Sequence, residues 1–154
     1  MSQRSATLAS NRHARREYHV TETLEAGVVL LGTEVKSVRD GHVSLADAYC
    51  RVRGMEVFLV GAHIAPYSHG NLNNHDPLRD RKLLLHRREI RRLKKRTEQK
   101  GFTIIPLRLY LRTGRIKIEI GLARGKHLYD KRADMAERDT RRQLDRTLRQ
   151  YTRR

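Results

Sequence analysis

The chain of 154 residues carries 34 lysines and arginines against 17 acidic residues, a formal charge of +17 with a pI near 11.0. That length suits one domain with tails rather than two cores, and a charge excess of this size selects polyanions, nucleic acid above all, as partners. No run approaches about eighteen apolar residues, Met1 to Arg16 lacks the apolar centre of a signal peptide, and the single cysteine, Cys50, excludes an intrachain disulfide and a cysteine zinc cluster, which together predict a cytoplasmic protein with no membrane attachment.

Met1 to Arg16 is polar and basic and reads as a flexible arm leading to a docked segment near Asn11. Glu17 to Glu22 alternates with Tyr18 and Val20 on one face, then runs through Glu25-Ala-Gly into Val28 to Leu31, an unbroken apolar stretch between Gly27 and Gly32 that predicts a short buried strand. Gly32 marks a corner, Thr33 a cap for a helical turn ending in Lys36 and Arg39, and Gly41 its stop. In so positive a chain, the carboxylates of Glu25 and Glu34 each call for a cationic or amide partner. Asp47 to Arg53 and Glu56 to Ile64, joined at Gly54-Met55, form a hairpin with Cys50 on its apolar face and Tyr49, Arg51 and Arg53 on its basic one.

Pro66 to Arg81 has no periodicity and many turn residues, and reads as an exposed loop. Leu83, Leu84, Ile90, Leu93 and Thr97 then fall at helical spacing, and between His86 and Lys100 eight basic residues stand against two acidic ones, so this helix invites a phosphate backbone. Phe102 to Arg112 and Arg115 to Leu122 are the clearest strands, with Ile105, Leu107, Leu109 and Leu111 expected on one face and Thr113-Gly114 as the turn. From Ala123 to Arg154, eleven basic residues face five acidic ones over a thin apolar stripe, which predicts a tail disordered alone and helical on a partner. The whole predicts a mainly β fold: a small closed antiparallel barrel of the oligonucleotide-binding type over residues 1 to 122, with a flanking basic helix and a basic tail over 123 to 154.

No metal template is matched by the eight histidines, His69, His75 and Asp76 included, and Glu34, Asp40, Asp47 and Glu119 form no evident catalytic pairing. Neither a cofactor nor an enzymatic role is predicted. Tyrosines 18, 49, 110 and 129 are interleaved with basic residues, as stacking on unpaired bases or packing of a barrel both use. Lacking tryptophan and the aromatic signature of an RNA-recognition sheet, the chain suits folded RNA read by shape and phosphate. A structural protein of the ribosome and a nuclease are the rival classes.

The blocks Asn11-Arg-His-Ala-Arg, Glu25-Ala-Gly, Gly32-Thr-Glu-Val-Lys-Ser, His75-Asp-Pro-Leu-Arg, Arg81-Lys-Leu-Leu-Leu and Gly125-Lys-His-Leu-Tyr-Asp-Lys-Arg, in this order, resemble the small protein B, or SsrA-binding protein, family of bacterial trans-translation. The resemblance runs from Asn11 into the tail. It implies a barrel that holds the tRNA-like domain of transfer-messenger RNA (tmRNA, SsrA RNA), reaches stalled ribosomes with it and with GTP-bound elongation factor Tu, and stands in for an anticodon arm, without catalysis of its own. The RNA-binding positions it implies are Asn11, Tyr18, Glu25, Tyr49, Leu84 and Lys117; those directed at the 16S rRNA decoding centre are Tyr129, Asp130, Lys131 and Arg132. His127 stands where a second lysine is common, and Tyr129 where some members carry histidine.

Overall fold

The computed structural model describes residues 6–70, 74–99, 101–126 and 138–149. Its elements are β1 (Ala6–Ser10), α1 (Ala14–Glu17), β2 (Tyr18–Val28), α2 (Gly32–Arg39), β3 (Val43–Ser44), β4 (Tyr49–Arg53), β5 (Glu56–Val60), β6 (His63–Ile64), β7 (Arg81–Leu84), α3 (Arg87–Thr97), β8 (Phe102–Arg112) and β9 (Arg115–Gly125). Residues 138–149 are helical and exposed throughout. Among the described residues no helix is long and apolar enough to cross a membrane. Seven strands pair in the order β1-β8-β4-β5-β7-β2-β9, β9 also pairs with β8, and β3 with β6 forms a separate ribbon; every pairing is antiparallel. The main core, including Val38, Leu45, Val57, Leu59, Ile64, Leu83, Leu93, Ile104, Leu109, Ile118 and Ile120, lies on one side of this sheet and under α2 and α3.

Bulges decide which side chains face that core. On β8 the register against β9 shifts between Pro106 and Arg108, where a proline that cannot donate to the ladder is tolerated. The expected single file of Ile105, Leu107, Leu109 and Leu111 is therefore broken: Leu109 enters the main core, whereas Ile105 and Leu107 join Ala14 and Ala123 in a second cluster. A matching shift on β2 between Val20 and Glu22 puts Tyr18 and Val20 against that second cluster and Leu24 and Ala26 against the first. Adjacent residues of a strand face opposite sides, so Leu122 in one cluster and Ala123 in the other put the second cluster on the outer face of the sheet.

From the N-terminal segment Ala14 of α1 enters that outer cluster, while Leu8 and Ala9 of β1 pack against the main core. In place of a flexible arm, β1 pairs with β8 over Ala6 to Ser10, and Asn11 continues the attachment through its amide on the Leu107 carbonyl (2.8 Å) and its side-chain nitrogen on the Pro106 carbonyl (3.0 Å).

The strand expected over Val28 to Leu31 is absent: β2 stops at Val28, and Val29 and Leu31 are 44% and 49% exposed. The reason lies in Glu34. Its carboxylate accepts the Leu31 amide at 2.8 Å, so the helix starts at Gly32, with Leu31 rather than Thr33 as its cap. Thr33 Oγ1 meets His75 Nδ1 instead, and Gly41, with φ +80°, ends the helix as expected.

Leu83 and Leu84 belong to β7 and not to the basic helix, because Arg81 to Leu84 is drawn into the sheet between β5 and β2. The helix begins at Arg87, after His86, whose amide is taken by Glu89 at 2.9 Å. The hairpin's second strand stops at Val60, where Gly61 with φ +78° turns the chain into β6; a Cβ there would meet the Asp47 carbonyl at 2.8 Å. β9 runs past the boundary expected at Leu122: Ala123 is fully buried, and Lys126 still donates to the Glu17 carbonyl.

Candidate nucleic-acid interface

Gly27 organises one group of the expected site residues. The β2–β7 register sets Leu84 opposite it and the β2–β9 register sets Lys117 opposite it, while Glu25 lies two residues back on the same outward face. A Cβ on Gly27 would sit 3.2 Å from the Leu84 Cβ, so the glycine leaves room for Leu84, which is 55% exposed. The sequence shows this glycine only as a kink in a strand. Its neighbour across the sheet, five strands further along the chain, gives it the second task.

Glu25 is held by groups from β8. The Tyr110 hydroxyl donates to its Oε2, and Arg112 Nη1 donates to the same oxygen at 2.8 Å, leaving Oε1 without a partner among the described residues. The Tyr110 hydrogen bond chiefly lowers the Glu25 pKa; burial opposes it, and Arg112 and Lys117 add to the lowering. Burial, and then the bond to Glu25, push the Tyr110 hydroxyl well above its ordinary range, which keeps it a donor. Tyr110 is only 3% exposed with Arg108 over its ring at 4.3 Å, so it packs and orients and does not offer a stacking surface. Arg108 also pairs with Glu119 at 3.3 Å, so that carboxylate, two residues from Lys117 on β9, is engaged in an ion pair.

The other group surrounds a cleft of about 370 Å³ lined by Asn11, Tyr18, Asp47, Ala48, Tyr49 and Thr103 among others. Tyr49 is 42% exposed, whereas Tyr18 is half-buried over the outer cluster. Asn11 has its side-chain nitrogen engaged by the Pro106 carbonyl, and its Oδ1 is buried without a partner among the described residues. Because β2 carries both Tyr18 and Glu25, seven residues apart, the two groups lie about 20 Å from each other on the outer surface of one sheet. The positions Tyr129, Asp130, Lys131 and Arg132 lie outside the described residues.

The basic helix adds charge at the side. Ile90 and Leu93 are buried against the core while Arg87, Arg88, Arg91, Arg92, Lys94 and Lys95 are exposed, with Arg92 reaching Glu22 at 3.1 Å. The other carboxylate noted in the sequence serves the interior: buried Glu34 pairs with buried Arg81 and with the partly exposed Arg79, which holds the segment 76–81 onto α2. His75 is buried and hydrogen-bonded through both ring nitrogens, to Thr33 and to the Ile64 carbonyl. Among the described residues no group of three or more His, Cys, Asp or Glu side chains is arranged to hold a metal.

An antiparallel β-sheet whose outer face combines tyrosines, an oriented carboxylate and many exposed cations defines a nucleic-acid-binding β protein. The family model described as SmpB protein matches residues 8–150. The SsrA-binding protein of Acetivibrio thermocellus is 56% identical over 143 residues, covering 93% of each chain. That of Thermosynechococcus vestitus is 54% identical over 144 residues, covering 93% of this chain and 95% of the relative. A solved structure described as "tmRNA-SmpB: a journey to the center of the bacterial ribosome" is 48% identical with a TM-score of 0.66, covering 78% of this chain and 85% of that one. The chain belongs to the SmpB protein family.

Proposed function

We propose that this protein binds the tRNA-like domain of tmRNA and accompanies it to stalled ribosomes, where the pair carries out rescue and peptide tagging. The observation that carries this reading is the outward group of Glu25, Lys117 and Leu84 around Gly27, at the positions the family resemblance implies for RNA. Glu25 keeps one carboxylate oxygen for a base amino group, Lys117 suits a phosphate, and Leu84 offers an apolar surface to a ribose or base. The relatives named SsrA-binding protein, and the neighbour described with tmRNA and the ribosome, support the same partners.

The strand pairings β8-β4-β5-β7-β2-β9 return to β8 through the β8–β9 pair, a circuit that supports a closed barrel of the oligonucleotide-binding type. In this reading the protein works in the cytoplasm as a binding protein without catalysis, elongation factor Tu joins through the RNA, and Tyr129 to Arg132 act in the 16S rRNA decoding centre. The test is the RNA that co-purifies with the full chain from its own cells. Enrichment of tmRNA over rRNA is expected; stoichiometric recovery with every ribosomal subunit and no tmRNA would make it a structural ribosomal protein.

A further inference from the structure

α3 packs on the core-facing side of the sheet. Ile90 and Leu93 enter the main core, and Arg92 pairs at 3.1 Å with Glu22, which alternates along β2 with Leu24 and Ala26 toward that core. By the same alternation Glu25, with Gly27, faces the other way. With 3.6 residues to a turn, Arg88, Arg91, Arg92 and Lys95 fall on the side of the helix opposite Ile90 and Leu93, and all four are exposed. The exposed side of α3 therefore points in a different direction from the group of Glu25, Leu84 and Lys117.

Of these four cations only Arg92 has an ion-pair partner. Arg88, Arg91 and Lys95 pair with no carboxylate among the described residues, and the helix's own Glu89 is taken by the His86 amide at its start. Like charges four residues apart, Arg88 with Arg92 and Arg91 with Lys95, weaken a helix, and Glu22 relieves only the first pair. Arg88 to Lys95 spans about 10 Å along the axis. Arg87–Thr97 contains no aromatic residue, so this convex side offers positive charge without a surface on which a base could stack. Such a side reads the sugar–phosphate backbone of an RNA helix by position and shape, not its sequence.

We infer that α3 docks on the phosphate backbone of a ribosomal RNA helix through Arg88, Arg91 and Lys95 while the tRNA-like RNA occupies the outer face at Glu25, Leu84 and Lys117. The folded body then touches both RNAs by itself, in addition to whatever the tail contributes. The inference rests on the proposed function, which supplies ribosomal RNA as the second RNA this chain meets.

The test uses the full chain with two probes, a transcript of the tRNA-like domain of tmRNA and vacant 70S ribosomes, each titrated across a salt series. Arg91→Gln/Lys95→Gln should bind ribosomes at least about fivefold more weakly, with the salt slope reduced by about two, and bind the transcript within about twofold of wild type. Lys36→Gln/Arg39→Gln, the same change of charge on α2, should lose markedly less ribosome affinity. Cys50 is buried, so an iron–EDTA probe tethered at Lys95→Cys reports from α3 alone, and its cuts should cluster in one helix of ribosomal RNA. Equal losses for transcript and ribosome, or cuts confined to the tRNA-like RNA, would place α3 in the first interface and overturn the inference. A ribosome affinity lowered no further than by the α2 control would overturn it as well. If wild type fails to bind the transcript yet the α3 variant still loses ribosomes, the proposed function is wrong and the α3 surface stands.

Discussion

The carboxylate of Glu34 meets the guanidinium of Arg81 at 2.5 Å with neither side chain exposed to solvent. Arg81 also donates to the carbonyls of Ala62 (2.7 Å), Pro77 and Asp76, so one buried guanidinium ties α2, the approach to β6 and the loop before β7 together. Removing one partner strands the other charge in the interior, which costs about 3–5 kcal/mol, whereas replacing both with apolar residues avoids that penalty. Urea unfolding of Glu34→Leu, Arg81→Leu and the double variant should give single losses in this range and a double loss well short of their sum. Additive losses would mean that the pair does not act as a unit.

The same pair sets an acid limit. Burial acts to raise the Glu34 pKa, but the hydrogen bonds from Arg79, the Leu31 amide and Arg81 outweigh it, and the carboxyl is held below its ordinary 4.5. A carboxylate with a lowered pKa in the folded state contributes stability that is complete above 4.5 and is lost as the pH falls through the folded value. The melting temperature should therefore fall below pH 4.5, and Glu34→Gln, already destabilised at neutral pH, should fall less steeply over that interval.

Glu25 tests the interface without testing the fold. It is exposed, and its bonds to Tyr110 and Arg112 lie at the surface of β2 and β8. Glu25→Ala and Lys117→Ala should each weaken binding of the tRNA-like RNA by about 1–3 kcal/mol. Calorimetric melting should shift by only a few degrees. A large melting shift with unchanged affinity per folded molecule would instead make both residues structural.

Most of the strands, the basic helix and the partners of Glu25 and Glu34 as a type were legible in the sequence, since alternation, turn residues and charge are local signals. Long-range relationships were not. Nothing near Val28 to Leu31 announces that Glu34 will pull the Leu31 amide into a helix start, because Glu34 is fixed there by Arg79 and Arg81, more than forty residues away. Leu83 and Leu84 fit a helical stripe as well as a strand, and only the open edges of β5 and β2 decide between them. The bulge at Pro106 likewise turns an even apolar alternation into two clusters, the second of which takes in Ala14 of α1.

The β8–β9 turn carries a local strain that the sequence does not need. Thr113 and Gly114 both have positive φ, at 51° and 75°, as a two-residue hairpin of this hand requires, but a β-branched residue fits that region poorly. Asn tolerates it. Thr113→Asn should stabilise the protein by up to about 1 kcal/mol, read as a higher urea midpoint at unchanged slope. Because the turn lies outside the proposed RNA contacts, affinity for the tRNA-like RNA should not change.

The tail separates RNA binding from work on the ribosome. β9 and its anchor reach Lys126, so the body to be isolated ends there and not at Leu122, where truncation would remove the fully buried Ala123. The proposed RNA contacts all lie within this body, and the proposed decoding-site residues Tyr129 to Arg132 lie after it. Deletion after Lys126 should leave affinity for the tRNA-like transcript within about twofold at moderate salt, well under the 1.4 kcal/mol of a tenfold change, while tagging on ribosomes stalled without a codon collapses. Tyr129→Ala should reproduce much of the tagging defect if its ring stacks on an rRNA base, a contact worth about 1–3 kcal/mol. Charge alone makes the opposite forecast: the tail's eleven basic residues against five acidic would then act as an anchor, and Tyr129→Ala would tag normally while low salt rescued weak binding. Tagging measured for both variants across salt distinguishes the two, and normal tagging by the truncated body would remove the tail from the mechanism altogether.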